Sequence, residues 1–247
     1  MNYTFLVLLG ILIPFFGTAL GSGCVFFLKK GQKEKTKKAL AGFAAGVMLA
    51  SLFWSLLTPA LTEKESLLSA SLGIFLGMAL FLAGDRVLFK LSDNNILSGK
   101  NKMILAVTLH NLPEGMAVGI AFAGARSGVG ISMAAAFLLS CGIALQNFPE
   151  GAIISAPLKT LGIPKKRAFF LGVLSGVIEP IGALLSLALT SVITQLLPFV
   201  LAFAAGAMLF VVSDELIPSL EGEEKSVGLW GVTCGFLVMM VLDVIFR

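Results

Sequence analysis

Charge is what this 247-residue chain has least of: 13% of its residues are Asp, Glu, Lys or Arg, against 57% hydrophobic. A soluble domain carries about 25% charged residues, so this composition does not supply a water-facing surface. Mean hydropathy is +0.97. Histidine is nearly absent, with 1 in the whole chain. That excludes a metallohydrolase built on H-E-x-x-H, which needs two imidazoles a helical turn apart, and no enzyme activity is expected. The 3 cysteines, Cys24, Cys141 and Cys234, lie far apart in apolar surroundings without a CxxC spacing. They exclude a disulfide framework and a thiolate metal site, and read as small buried hydrophobes. No Lys or Arg precedes the first apolar run, which follows Met1-Asn2-Tyr3-Thr4. A cleaved signal peptide has a basic flank there, so this run reads as a retained helix. The sequence pI of about 9.0 would suit a nucleic-acid binder, yet the basic residues gather on no single face. They occupy the gaps between apolar runs, where they report topology, and no nucleic-acid partner is expected.

What the chain has in abundance is apolar sequence in bilayer-crossing lengths, each of about 20 residues. The runs fall at 4–28, 39–61, 67–89, 103–125, 130–156, 168–190, 196–218 and 227–246, with Pro157 to Arg167 as a short basic connection between the fifth and sixth. The expected fold is an all-α integral membrane protein: one transmembrane domain, 1–247, of eight helices, or seven if the 190–196 gap is misread. Apart from Lys64, Arg126 and Arg247, every Lys and Arg lies in or flanks an odd-numbered connection. The positive-inside rule therefore makes the odd connections cytoplasmic and both termini extracytoplasmic, in a multi-pass protein of the cell (inner or plasma) membrane. The lysine run 29–38 doubles as a contact for lipid headgroups.

The second and seventh runs share a motif: Phe43-Ala-Ala-Gly46-Val-Met48-Leu49 aligns with Phe203-Ala-Ala-Gly206-Ala-Met208-Leu209. An even and an odd run cross the bilayer in opposite directions, so the pair suggests an inverted repeat relating helices 1–3 to 6–8 around a central helix 4/5 pair. Many secondary transporters are built this way, with the substrate bound near the midplane. A small-residue packing motif reached twice is the plainer alternative.

The fourth run contains His110-Asn111-Leu112-Pro113-Glu114-Gly115, and the fifth contains Gln146-Asn147-Phe148-Pro149-Glu150-Gly151. On a helix, residues i and i+4 share a face, so His110 projects with Glu114 and Gln146 with Glu150, each with an asparagine alongside. Consecutive helices tend to be neighbours. Opposed, these two faces would place one imidazole, two carboxylates and three amides in one cavity. Each proline also frees a carbonyl one turn before its glutamate, an irregularity tolerated in a membrane where it faces protein or a water path. A third carboxylate, Glu179 of Ser175-Gly-Val-Ile-Glu-Pro180, falls at the same expected depth as Glu114, about eleven residues from the cytoplasmic end of its run.

A charged residue at mid-bilayer costs on the order of 3 kcal/mol on insertion scales, and three neighbouring carboxylates must share protons or bind a cation. One histidine with carboxylates and amide oxygens, and no thiolate, suits zinc, iron(II), manganese, cobalt, or cadmium as a mimic. A lone histidine or a lone Pro-Glu would read as packing or a kink; the repetition favours a site. Asp85, Arg86, Asp214, Glu215 and Asp243 stand near expected helix ends, where charges can snorkel to the interface, with Asp214 and Glu215 a candidate cytoplasmic exit. The competing function is a proton-coupled secondary transporter of an organic solute; a scaffold without transport would leave three midplane carboxylates unexplained.

The two hexapeptides, the Glu179-Pro180 pair and the eight runs with external termini resemble the ZIP (Zrt-/Irt-like) metal transporters over essentially the whole chain, closest to their compact prokaryotic branch. The resemblance implies a homodimer in the lipid bilayer that moves divalent metal ions, zinc and iron above all, into the cytoplasm. The metal is substrate, and no prosthetic cofactor is implied. By motif position it implies a first metal site of His110, Glu114, Gln146 and Glu150. A second would hold Asn111, Asn147 and Glu179, with Glu114 and Glu150 bridging both. It also implies motion of helices one, four, five and six against a scaffold of the other four. This chain departs from the family pattern where many members carry histidine at Gln146 and some aspartate at Asn147. Both departures bear on affinity and metal preference. The connection before the fourth run, histidine-rich in many eukaryotic relatives, has no histidine here.

Overall fold

A computed structural model describes residues 3–27, 34–61, 66–93, 99–128, 131–160, 162–190 and 196–246, and among them every element is helical. Helix α1 (Tyr3–Gly23) closes in a 3-10 turn (Cys24–Phe26), and α2 (Glu34–Ser51) passes into a π-helical segment (Leu52–Leu57) and a last turn (Thr58–Ala60). Helices α3 (Ser66–Asp93), α4 (Gly99–Ser127) and α5 (Met133–Thr160) follow unbroken. Helix α6 comes in two pieces, Lys165–Gly176 and Ile178–Ala188. Helix α7 (Leu197–Val211) passes into a second π segment (Val212–Leu216) and a turn (Ile217–Ser219), before α8 (Lys225–Phe246). Lys29, Lys30, Lys33, Lys64, Arg247 and part of the 190–196 gap lie outside the described residues, as do the α4 side chains up to and including His110.

Among the described residues 7 helical rods are long and apolar enough to cross a membrane, which makes this a multi-pass membrane protein. They are Thr4–Phe26, Glu34–Ala60, Ser66–Val87, Met133–Ala156, Lys165–Ala188, Leu197–Ser219 and Lys225–Ile245. Helix α4, whose first half lies outside the residues described at the side-chain level, is not among these seven. Some boundaries differ from expectation. Helix α4 opens a turn early at Gly99, and α5 carries Pro157 inside it as far as Thr160, so the connection to α6 shrinks to 161–164.

Proline explains the interruptions. Pro59 and Pro218 have no N–H for the carbonyls of Ser55 and Asp214, and the helix just before each relaxes to wider i→i−5 bonding. The Thr58 N–H then reaches the Phe53 carbonyl and the Ile217 N–H that of Val212, with the Thr58 hydroxyl adding a 3.0 Å bond to Phe53 O. Pro180 likewise deprives the Gly176 carbonyl, which is where α6 breaks.

Packing is governed by small residues, because lipid tails are as apolar as leucine and helices in a bilayer gain from close contact rather than from leaving water. The most extensive pairs are α2 with α8, α1 with α5, α3 with α7, and α4 with α6. The central helices α4 and α5, expected as principal neighbours because they are consecutive, do touch, but each packs chiefly elsewhere. The pairs are parallel and registered by glycine against backbone. A Cβ on Gly231 would meet Ala39 O and one on Gly235 would meet Phe43 O; Gly73 and Gly77 stand in the same way against Phe199 O and Phe203 O. Gly46 faces Val232 O, and Gly206 faces Ile74 O. The four helices α2, α3, α7 and α8 thus form one group, and α1, α4, α5 and α6 another. They meet where α2 touches α5 and α7 touches α4.

Lysines tie helix ends within each group. Lys38 is 7% exposed and donates from Nζ to Ser219 O at 2.7 Å and Glu221 O at 2.5 Å, closing the end of α7. Lys165 donates to Phe26 O at 3.0 Å, joining α6 to the end of α1. Two expectations fail at the surface. Cys141 and Cys234 are exposed and Cys24 is half-buried, since a thiol on the lipid-facing side of a helix loses little. Asp243 is 3% exposed, buried against the bundle rather than snorkelling out.

Candidate functional site

The two hexapeptides occupy the middles of α4 and α5 without breaking either helix. Glycine brings a third helix to them. A Cβ on Gly115 would run into the backbone carbonyl of Glu179, and one on Gly119 into that of Ala183. Helix α6 therefore lies directly on α4 with Glu179 level with the Glu114-Gly115 peptide. Counting residues put Glu114 and Glu179 at one depth; here the Glu179 backbone lies against Gly115, the residue after Glu114. On the other side Gly151 sits against Thr18 O and Gly21 against Phe148 O, which lays α1 on α5 at the same level.

The polar side chains so gathered are almost wholly enclosed. Glu114, Gln146 and Asn147 are 0% exposed, Asn111 and Glu179 1%, and Glu150 is half-buried. Gln146 Nε2 donates to Glu114 Oε1 at 2.6 Å, joining α5 to α4. Asn111 Nδ2 donates to Glu179 Oε1 at 3.1 Å and to Ser175 O at 3.2 Å, joining α4 to α6. Thr18 Oγ1 donates to the same Glu179 Oε1 at 2.8 Å, joining α1 to α6. Asn147 lies beside Glu114 and Glu179 but closes a normal hydrogen bond with neither. Each of the three carboxylates is within electrostatic reach of another, and Glu215 of the α7 π segment lies within reach of Glu150.

Among the described residues, Asn147 Nδ2 is a buried donor without an acceptor, and it is outnumbered by acceptors without donors. Asn111 Oδ1, Glu114 Oε2, Gln146 Oε1, Asn147 Oδ1, Glu150 Oε1 and Glu179 Oε2 are all buried and, among the described residues, accept no hydrogen bond. A buried polar group without a partner costs roughly 1–3 kcal/mol, more when charged. Several lone pairs left without donors are a standing deficit of positive charge, which a cation or shared protons would fill. The amide N–H groups orient the carboxylates, and the carbonyl and carboxylate oxygens remain as possible ligands. All are hard oxygen donors, suited to divalent cations that accept oxygen.

Six of the seven residues expected at the site, Asn111, Glu114, Gln146, Asn147, Glu150 and Glu179, are thus brought together from three helices. The seventh, His110, lies on α4 one turn before Glu114, with its side chain outside the described residues. Among the described residues no three His, Cys, Asp or Glu side chains converge closely enough to hold an ion between them; the oxygens surround the region rather than a formed coordination sphere. Sequence reasoning missed Thr18. It stands in an unremarkable apolar run, and the one available sign was a second hydroxyl, Ser22, one turn further along the same face.

A model of the ZIP zinc transporter family matches residues 95–243, which include α4 to α7 and most of α8. Zinc transporter ZIP11 of Xenopus tropicalis is 32% identical, with 96% of each chain covered. Zinc transporter ZIPB of Bordetella bronchiseptica is 34% identical over 95% of this chain and 79% of its own. Zinc transporter ZupT of Clostridium perfringens is 30% identical over 100% of this chain and 98% of its own. The matched region carries both hexapeptides and Glu179, and the alignments with these relatives span nearly the whole chain: the protein belongs to the ZIP zinc transporter family.

Proposed function

We propose that this protein moves divalent metal cations across the membrane into the cytoplasm, with zinc first among them and iron(II), manganese, cobalt and cadmium as further candidates. The carrying observation is the set of buried, donor-less oxygens on Asn111, Glu114, Gln146, Asn147, Glu150 and Glu179. Relatives named as zinc transporters support zinc. In this reading His110 supplies the imidazole, and Glu114 and Glu150 bridge two adjacent positions. Metal binding displaces the protons that the carboxylates otherwise share. The metal is cargo, bound in passing, and the protein is a transporter rather than an enzyme.

The same reading takes α4 as an eighth span, the chain as one transmembrane domain with external termini, and the functional unit as a homodimer. It also takes helices α1–α3 and α6–α8 as an inverted repeat around α4 and α5. Support for the repeat comes from paired details. Gly46 against α8 corresponds to Gly206 against α3, Gly235 on Phe43 to Gly77 on Phe203, and Gly151 on Thr18 to Gly115 on Glu179. Helices α2 and α7 also end in the same π segment before a proline.

Purified protein in liposomes loaded with a zinc-sensitive dye tests the function. Glu114→Gln and Glu150→Gln preserve shape and hydrogen bonding while removing charge, and should each lower the initial rate of zinc entry by about ten-fold or more. Wild-type rates in both variants would remove the carboxylates from the path.

A further inference from the structure

Glu179 is held in an unsymmetrical way. Its Oε1 receives two donors from two other helices, Thr18 Oγ1 at 2.8 Å and Asn111 Nδ2 at 3.1 Å, while its Oε2 is buried and receives none among the described residues. Glu114 follows the same pattern: Oε1 takes the 2.6 Å bond from Gln146 and Oε2 is left without a donor. The position of Thr18 is set by packing. A Cβ on Gly176 would come within 3.0 Å of both Thr18 Cβ and Cγ2 and within 3.2 Å of Glu179 Oε1, while Gly151 presses on the Thr18 backbone from α5. Thr18 is 1% exposed, with α5 and α6 closing over it.

We propose that Thr18 is a specificity-determining positioning residue: by occupying one oxygen of Glu179 it restricts that carboxylate to one-oxygen contact with the transported cation. This rests on the reading that Glu179 faces the cation. The chemistry follows from ion size. Large cations take about 6–8 oxygens at about 2.3–2.6 Å and readily accept both oxygens of one carboxylate. Zinc takes about four ligands, with oxygens at about 2.0–2.2 Å, and is served by single oxygens. Two carboxylates each presenting one free oxygen describe a site biased toward the smaller ion. Removing the Thr18 hydroxyl frees Glu179 Oε1 from one of its two donors, lets the carboxylate swing to a two-oxygen grip, and weakens the bias.

The test uses full-length protein in liposomes, with zinc and the larger cadmium ion as probes, measured separately and in competition. Thr18→Val keeps the side-chain shape and its contacts at Gly176 and removes only the hydroxyl; Thr18→Ser keeps the hydroxyl. The expected result for Thr18→Val is a half-saturating zinc concentration raised about ten-fold, a smaller change in maximal rate, and a higher cadmium-to-zinc ratio. Thr18→Ser should stay close to wild type in all three. Unchanged half-saturation and ratio in Thr18→Val overturn the proposal, and so does a Thr18→Ser variant impaired as much as Thr18→Val, since packing alone would then explain the effect. Should Thr18→Val not reach the membrane folded, Thr18→Ala is read by the same criteria. Glu179→Gln runs in parallel. If it transports zinc normally, the reading of the site itself fails; if it is inactive while Thr18→Val is normal, only the role of Thr18 falls.

Discussion

Glycine at 115 does as much for the site as the glutamate before it. Its missing side chain lets the Glu179 backbone approach α4, and any Cβ there would collide with a carbonyl rather than with a flexible side-chain tip. The neighbour cannot yield cheaply, so Gly115→Ala should push α6 away from α4. Overpacking costs about 1–3 kcal/mol; the expected outcome is a lower melting temperature in detergent together with reduced zinc uptake, while Ala substitution at Gly84, where nothing lies within 4 Å, should leave both unchanged. At this scale much was legible in the chain itself. The paired hexapeptides identified five of the residues now found together, because a buried carboxylate beside a proline is too costly to repeat without use. Thr18 was not legible, since its role exists only through Glu179, 161 positions away.

Among the helices, the ends matter as much as the middles. The last carbonyls of α7 have no helical partners, and Lys38 from α2 supplies two hydrogen bonds to Ser219 O and Glu221 O. Charge-assisted hydrogen bonds are worth about 1.5–3 kcal/mol each, and the side chain is nearly buried, so solvent screens it little. Lys38→Met retains the apolar stem and removes the donors; it should lower the thermal midpoint of the purified protein. Lys37→Met, whose partner Glu34 is exposed at 3.4 Å, should not, as exposed pairs contribute little. Helix existence was readable from apolar runs, whereas boundaries were not. Pro157 was expected to stand outside α5 but lies within it, since a membrane-protein helix can carry a proline where neighbouring groups accommodate the freed carbonyl.

For the molecule as a whole, the lysine distribution makes a topological prediction. With Cys24, Cys141 and Cys234 replaced by serine, Ser132→Cys before α5 should react in intact cells with a membrane-impermeant maleimide. Glu223→Cys, between α7 and α8, should react only after the membrane is opened. The reverse labelling pattern would invert the assigned orientation. The parallel pairing of α2 with α8 and of α3 with α7 holds for either orientation, so the labelling alone decides it.

By itself the sequence determined that this chain is a membrane protein, where its apolar rods lie, which connections carry the positive charge, and which two hexapeptides hold the expensive polar groups. Each of these is a local or compositional property, written in runs and counts. Only the tertiary structure decided which helices pair. Helix α4 lies on α6 and α5 on α1, although α4 and α5 are consecutive, because close approach in lipid depends on glycine surfaces meeting backbone from distant parts of the chain. The same pairing brings Thr18 to Glu179, buries Asp243 and leaves Cys141 and Cys234 facing outward. A residue's partner across a helix interface is a property of two surfaces at once, and a single run of sequence carries only one of them.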